Sequence, residues 1–292
     1  DHGTMFGVID FYRACKAQGI KPIIGMEAYL ARRGMTDRDP QYDTRPYHLL
    51  LLARNQTGYQ NLLKIASASQ LEGYYYRPRI DHDFLAAHAE GLIATTGCLA
   101  AEIPRMVEDG READALRQIG WHQDVFGPEN FFLELQHHDI DILHTLNRWL
   151  IENQSYARVP LLATNDVHYI LADDFDAHDT LLCIQTGSVK NEQNRMRMTD
   201  PSYHLRTPDE MWRLFGDVPE ALTNSVLIAQ MCDVNLDSNG YHLPVFPVPE
   251  GFSAESYLRY LCEQGLQWRY GARADDPAVR DRLDHELNII HN

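Results

Sequence analysis

Residues 131–168 read FFLELQHHDIDILHTLNRWLIENQSYARVPLLATNDVH. Phe131 to Gln136 and Pro160 to Thr164 are apolar runs of strand length. Between them, Ile140 to Asn153 is amphipathic at helical spacing. A strand, a helix and a second strand predict a βαβ unit, whose strands run parallel in one sheet. Polar residues follow each strand, His137-His138 after the first and Asp166 with His168 after the second. In parallel α/β folds, functional groups collect at that C-terminal edge.

The same rhythm extends toward the start of the chain. Gly91 to Thr96 (GLIATT) reads as a strand that leads through Gly97 to Cys98, with helices from about Leu99 and about Glu112. His48 to Ala53 (HLLLLA) is an apolar strand, and Thr57 is placed to cap the helix running to about Ser69. Met5 to Lys16 is a helix stopped by Gly19; Ile20 to Ile24 follows as a short strand and Glu27 to Leu30 as another. The alternation predicts an α/β domain around a mainly parallel sheet. Periodicity leaves a doubly wound sheet and a barrel both open.

After residue 205 the character changes. Helices over Pro208 to Phe215 and Glu220 to Asp233 lead into Leu243 to Gly251 (LPVFPVPEG), which reads as a linker or an extended edge. Two more helices follow. Ser253 caps one carrying Tyr257, Leu258, Leu261 and Cys262; Asp276-Pro277 starts the other, with Val279, Leu283, Leu287 and Ile290 inward. These helices need a partner surface. Asp1 opens inside a strand-to-helix turn and Asn292 ends inside a helical run, so the 292 residues read as an excerpt of a longer chain.

Composition narrows the class. Hydrophobic residues at 44% and charged residues at 23% describe a folded chain, and no apolar run approaches the roughly 18 residues of a membrane span. Five scattered cysteines without a CxxC pair fit neither a disulfide framework nor a zinc ribbon, and a reducing cytoplasm is the expected compartment. A net charge of −16 repels phosphate backbones on average, so tight nucleic-acid binding by this segment alone is not expected. Bound cations would override that average.

The chemistry-bearing candidates are Asp1-His2 before the first helix, Glu27, Cys98, His137-His138, and Asp166 with His168. His48 fits the strand-end rule less well, because it opens its strand. Imidazole, carboxylate and thiolate are ligands for zinc, manganese or iron. In extended backbone Asp166 and His168, two apart, point to one side. Cations gathered there would polarise a phosphate and generate hydroxide near neutral pH, the chemistry of metal-assisted phosphoester hydrolysis. Each residue alone has a plainer reading, as a hydrogen-bonded histidine, a small buried cysteine or an edge carboxylate; their recurrence at successive strand ends favours the joint one. Tyr74-Tyr75-Tyr76 with Arg77 and Arg79 suits base stacking or a packed loop equally, and Arg195 and Arg197 read as a solvated loop.

Asp1-His2-Gly3 with IKPIIGMEAYL (20–30) resembles the N-terminal region of bacterial replicative DNA polymerase III alpha subunits, which carries a polymerase-and-histidinol-phosphatase (PHP) domain. The likeness continues in YHLLLLARNQTGYQNLLKIAS, EGYYYRPRI, GLIATTGCLAAEIP, LLATNDVHYI, AHDTLLCIQTG and SYHLRTPDEMW. It implies a distorted (β/α)7-like barrel over 1–205, a helical segment and linker over 206–250, and the start of the polymerase thumb/palm region over 251–292. It implies two or three divalent metals (zinc, manganese or magnesium) on His2, Glu27, His48, Cys98, Asp166 and His168. Asp166 and His168 would serve the metal-activated hydroxide, His138 would be a further ligand, and Asp1 would support His2 without itself touching the metal. The family's first His-x-His motif is absent from these residues, and its palm aspartates with their magnesium would lie beyond Asn292. The parent activity would be DNA synthesis from dNTPs on primer-template, in company with a proofreading exonuclease and a sliding clamp. The PHP part would be a 3′–5′ exonuclease or a scaffold docking one. A free-standing PHP-type phosphoesterase is the rival reading.

Overall fold

Asn55, rather than Thr57, starts the first long helix: its side chain accepts from Gly58 N at 3.0 Å, and Thr57 already lies inside the first turn. The computed structural model describes residues 1–198, 200–237, 240 and 243–291. In chain order the first elements are α1 (Val8–Ala17), β1 (Gly25–Leu30), β2 (Tyr47–Ala53), α2 (Gln56–Leu71), β3 (Tyr74–Tyr75) and β4 (Arg77–Ile80). Next come α3 (His82–Ala87), β5 (Leu92–Thr95), α4 (Glu102–Glu108), α5 (Glu112–Phe126), β6 (Phe131–Leu135), α6 (Asp141–Ala157) and β7 (Leu161–Ala163). Then follow α7 (Phe175–Thr186), α8 (Pro208–Phe215) and α9 (Pro219–Met231). Ile20 to Ile24 is not a strand. Pro22 has no N–H to give a ladder, and pairing begins only at Gly25.

Among the described residues seven strands form one sheet, in the order β3-β4-β1-β2-β5-β6-β7. The expected mainly parallel sheet is instead mixed: β1–β4, β5–β6 and β6–β7 are parallel, whereas β1–β2, β2–β5 and β3–β4 are antiparallel. The cause lies between β1 and β2, where residues 31–46 form no helix and so supply no crossover. The chain turns back and β2 runs against both neighbours. Arg79, 1% exposed, holds that returning loop by donating to the carbonyls of Asp43, Met35 and Asp37 at 2.7–3.1 Å. The tyrosine–arginine run is thus a hairpin, and Arg79 in it is a structural brace rather than a base-stacking group.

One face of the sheet forms the main core with the helices, through residues such as Leu51, Ala94, Leu133 and Leu161. The opposite face is layered. At its floor Ile93, Phe132 and Leu162 pack with Ile228 and Cys232 of the α9 segment. Two residues further along each strand lie Thr95, Glu134 and Thr164, joined by hydrogen bonds. Beyond them the chain leaves the sheet toward Cys98, His138 and Asp166. In a flat sheet β1 and β7, four places apart in the order, would be about 19 Å apart. Residues from β1 and from just after β7 nevertheless line one cavity. The sheet therefore wraps around this face in the manner of a barrel.

Compactness divides the chain at Leu236, not at residue 205. The segment beyond 205 changes character in sequence, yet α8 and α9 bury Phe215, Ala221, Leu222 and Ile228 in the first unit. Arg195 likewise departs from the solvated reading, since its guanidinium forks onto both Asp179 oxygens at 2.6 and 2.7 Å.

The second unit contains α10 (Ala254–Tyr270) and α11 (Pro277–His291), preceded by residues 243–249 in neither helix nor strand. Ser253 caps α10 as expected, accepting from Ser256 N at 3.1 Å. Ion pairs join the two helices, Arg259 to Asp284 at 2.8 Å and Arg280 to Glu263. Ile290, expected inward, is 67% exposed.

Candidate metal centre

The antiparallel turn of β2 places His48 at the site. In the β1–β2 register Glu27 lies opposite Leu50 and Tyr29 opposite His48. Directly opposed residues share a face, so Glu27 and His48 are diagonal neighbours on the inner side. Met26, Ala28, Leu49 and Leu51 take the core side. His48 Nδ1 meets Glu27 Oε1 at 2.9 Å. His2 arrives by a parallel bridge to Glu27, with Glu27 N donating to Asp1 O at 3.0 Å and Gly3 N to Glu27 O at 2.8 Å. Its ring stacks on Tyr29 at 4.7 Å, and its Nε2 lies 3.7 Å from Glu27 Oε1. Asp1 does not reach the cluster with its carboxylate, which accepts from Gly7 N at 2.6 Å and fixes the turn into α1.

Cys98 completes this group. Its sulfur lies 3.5 Å from His48 Nδ1 and 3.8 Å from Glu27 Oε1. Gly97, at φ +73°, makes the turn that aims it. Asp166 and His168 form the second group, 3.3 Å apart across Oδ1 and Nε2. His168 N donates to Tyr203 O at 2.8 Å, and Asn165 Nδ2 to His204 O at 2.9 Å, so residues 203–204 pin the segment. His2 and Glu27 of the first group and Asp166 and His168 of the second line one cavity of about 500 Å³, together with Val8, Phe11, Leu50 and Leu52.

His138 does not line that cavity, although its charge acts on Asp166. It is 2% exposed, its Nδ1 meets Ser202 Oγ at 2.7 Å and its ring stacks on Tyr203 at 3.9 Å. Its Nε2 is buried with no partner among the described residues. It lines a separate cavity of about 480 Å³ with His137, His144 and Arg206.

Electrostatics follow from burial and mutual contact. Burial pushes the Cys98 thiol up to about 12, with the Glu27 carboxylate adding to it. Burial lowers His2 against the pull of Glu27, and holds His138 down at about 4. Burial would raise Glu27, but the His48 hydrogen bond and the histidine charges bring it below its ordinary value. Asp166 is lowered in the same way by His168, and the hydrogen bond to Asp166 raises His168.

The donor set fits a divalent cation. His2, Glu27 and His48 bring ligand atoms within 4.8 Å of one another, close to what ions bound at about 2.0–2.3 Å permit. The Cys98 thiol needs an adjacent cation to ionise, and the orphaned Nε2 of His138 has a free lone pair or proton.

Glu134 escapes a sequence reading based on strand ends. It lies within β6, 4% exposed, accepting from Thr95 Oγ1, Thr164 Oγ1 at 2.6 Å and Gln136 Nε2 at 3.0 Å. Burial favours its neutral form. A lone glutamate inside the apolar run FFLEL was the available signal. Among the other histidines, structural roles hold for His82, paired with Glu102 at 2.9 Å, and for His122, stacked on Phe131 at 4.8 Å.

A wrapped α/β sheet with histidine, carboxylate and thiol side chains on its inner face is an arrangement suited to divalent cations. Residues 1–138 match the PHP domain family, and the chain carries that domain. Over nearly its full length the chain resembles DNA polymerase III subunit alpha. It is 42% identical to that of Borreliella burgdorferi over 99% of this chain and 25% of that protein. It is 40% identical to that of Treponema pallidum, over 99% and 25%, and 40% identical to that of Thermus aquaticus, over 97% and 24%. The chain is a PHP-bearing segment of the DNA polymerase III alpha family. It spans about a quarter of the length of these relatives. Asp166 and His168 lie beyond the stretch matched to the domain family. Among the described residues no helix is long and apolar enough to cross a membrane.

Proposed function

We propose that the inner-face cavity holds two or three divalent metals (zinc, manganese or magnesium) and cleaves the terminal phosphodiester at a DNA 3′ end. His2, Glu27, His48 and Cys98 would hold them on one side and Asp166 with His168 on the other, with His138 Nε2 as a further donor. Bound there, such ions supply Lewis acidity toward a phosphodiester and acidify a water. Asp1 supports His2 through the backbone bond to Glu27 and the carboxylate bond to Gly7. His168 keeps Asp166 ionised and oriented. The observation that carries this reading is the cavity's lining: His2 and Glu27 share it with Asp166 and His168, and among the described residues no Lys or Arg lines it. With the Glu27 and Asp166 carboxylates in that lining, cations held by the donors would supply most of the positive charge a phosphate needs.

The parent protein, in this reading, is a cytoplasmic replicative polymerase that extends primer-template DNA with dNTPs, using magnesium at carboxylates outside this chain. It would work beside a sliding clamp and a separate proofreading exonuclease. The same acidic lining supports a second reading, in which the metals stabilise a scaffold that docks that exonuclease. Likeness to alpha subunits along nearly the whole chain, α10 and α11 included, speaks against a free-standing phosphoesterase.

The test is metal-dependent release of nucleotides from a primer 3′ end by the whole polypeptide carrying this segment, compared with the double variant Asp166→Asn/His168→Ala. Activity and metal content both lost with the fold intact supports the nuclease. No release by either protein, with metal still bound, overturns it and leaves the scaffold.

A further inference from the structure

We propose that Glu134 is the positioning residue that fixes the three strand ends bearing Cys98, His138 and Asp166. This deepens the reading of the metal site and rests on it. The observation is topological. Glu134 accepts from the side chains of Thr95, Gln136 and Thr164. Each partner precedes a donor on its own segment: Thr95 leads to Cys98, Gln136 to His138 and Thr164 to Asp166.

The link to Cys98 is the most direct. Thr95 Oγ1 donates to Glu134 and accepts from Gly97 N at 3.2 Å, so the hydroxyl ties the carboxylate to the turn before the sulfur. Glu134 N donates in turn to Thr96 Oγ1 at 2.8 Å, binding the same strand from the backbone. On the other side, Thr164 N donates to Leu135 O at 3.0 Å, while its hydroxyl reaches the carboxylate. A glutamate is a costly residue to bury among apolar neighbours unless it is fully bonded. An apolar residue at 134 would fill the layer but leave two hydroxyls and an amide without a common anchor. Such outer partners orient the groups that touch a metal.

The test is a cobalt(II) titration of the metal-free chain and of Glu134→Gln, Thr95→Val and Thr95→Ser, each checked for fold by circular dichroism. Gln keeps the shape of Glu134 but turns one acceptor into a donor; Val removes the Thr95 hydroxyl and Ser restores it. E134Q and T95V should weaken cobalt binding roughly 10- to 100-fold and lose the sulfur-to-cobalt charge-transfer absorption, with T95S like wild type. Wild-type affinity and absorption in folded E134Q and T95V overturn the proposal. If E134Q does not fold, the T95V and T95S pair decides alone.

Absence of cobalt binding by wild type sinks the metal reading instead. The positioning claim is then read from alkylation of Cys98 in the metal-free chain, followed peptide by peptide by mass spectrometry. A several-fold change in E134Q and T95V, reversed in T95S, supports it; equal rates overturn it.

Discussion

Tyr29 and His48 are paired residues of the β1–β2 ladder, and their rings meet edge to face at 5.3 Å. Because β2 runs antiparallel to β1, its second residue, His48, stands at the site edge. Leu49, the next residue, points to the core.

That alternation predicts a clean separation of effects. His48→Ala should lower the metal content of purified protein while leaving the urea midpoint of the metal-free protein nearly unchanged. Leu49→Ala, removing a side chain 3% exposed, should cost about 2–5 kcal/mol and leave the donor set in place. Elemental analysis and urea denaturation check the pair. Equal metal loss in both would contradict the register.

Gly58 lies in the first turns of α2, where replacement by alanine ordinarily stabilises a helix by about 1 kcal/mol. Here an added Cβ would stand 1.9 Å from the Gly91 carbonyl oxygen. Gly58→Ala should therefore destabilise the protein, by about 1–3 kcal/mol for an overpacked contact. Thermal melting of the two proteins gives the sign directly.

Arg79 braces residues 35–43 through three of their carbonyl oxygens, those of Met35, Asp37 and Asp43. Arg79→Ala should cost about 3 kcal/mol or more by leaving buried acceptors unpaired. Arg79→Lys should rescue little, since one ammonium cannot span the guanidinium's fork. Hydrogen exchange should rise first in residues 31–46.

His122 is fully buried, and burial holds its folded-state pKa at about 4. The unfolded chain takes up a proton near pH 6.5, while the folded protein does so only near 4. Stability is therefore lost as pH falls through that window and the loss levels off below it, amounting to about 3 kcal/mol. His122→Phe, packed on Phe131, should flatten this part of the acid limb in urea titrations between pH 7 and 4. An unchanged limb would show that another group carries it.

The sequence showed the βαβ rhythm well because β5, β6 and β7 are mostly apolar and polar residues follow them. Asp166 and His168 were readable as a pair for the same reason, and their side chains do meet. Strand direction was not readable. HLLLLA looks alike in either orientation, and only the helix-free return from Ala31 to Arg45 reverses it. The hairpin of β3 and β4 was hidden because its two-residue strand and turning Tyr76, at φ +58°, give no alternation to count. Glu134 was hidden by the opposite cause: a strand otherwise apolar throughout masks one charge whose partners come from three separate segments.

Asn224 of α9 donates to the carbonyl of Leu161 at 2.7 Å, on the outermost strand of the sheet. That bond, with Ile228 packed over Leu162, makes α9 a cover for an otherwise open edge. A protein cut at residue 205 would keep every donor residue named above, yet expose a short apolar strand with free hydrogen-bonding groups. Such an edge recruits other chains. The shortest segment that stays monodisperse in solution is accordingly set by a helix that supplies no chemistry to the site.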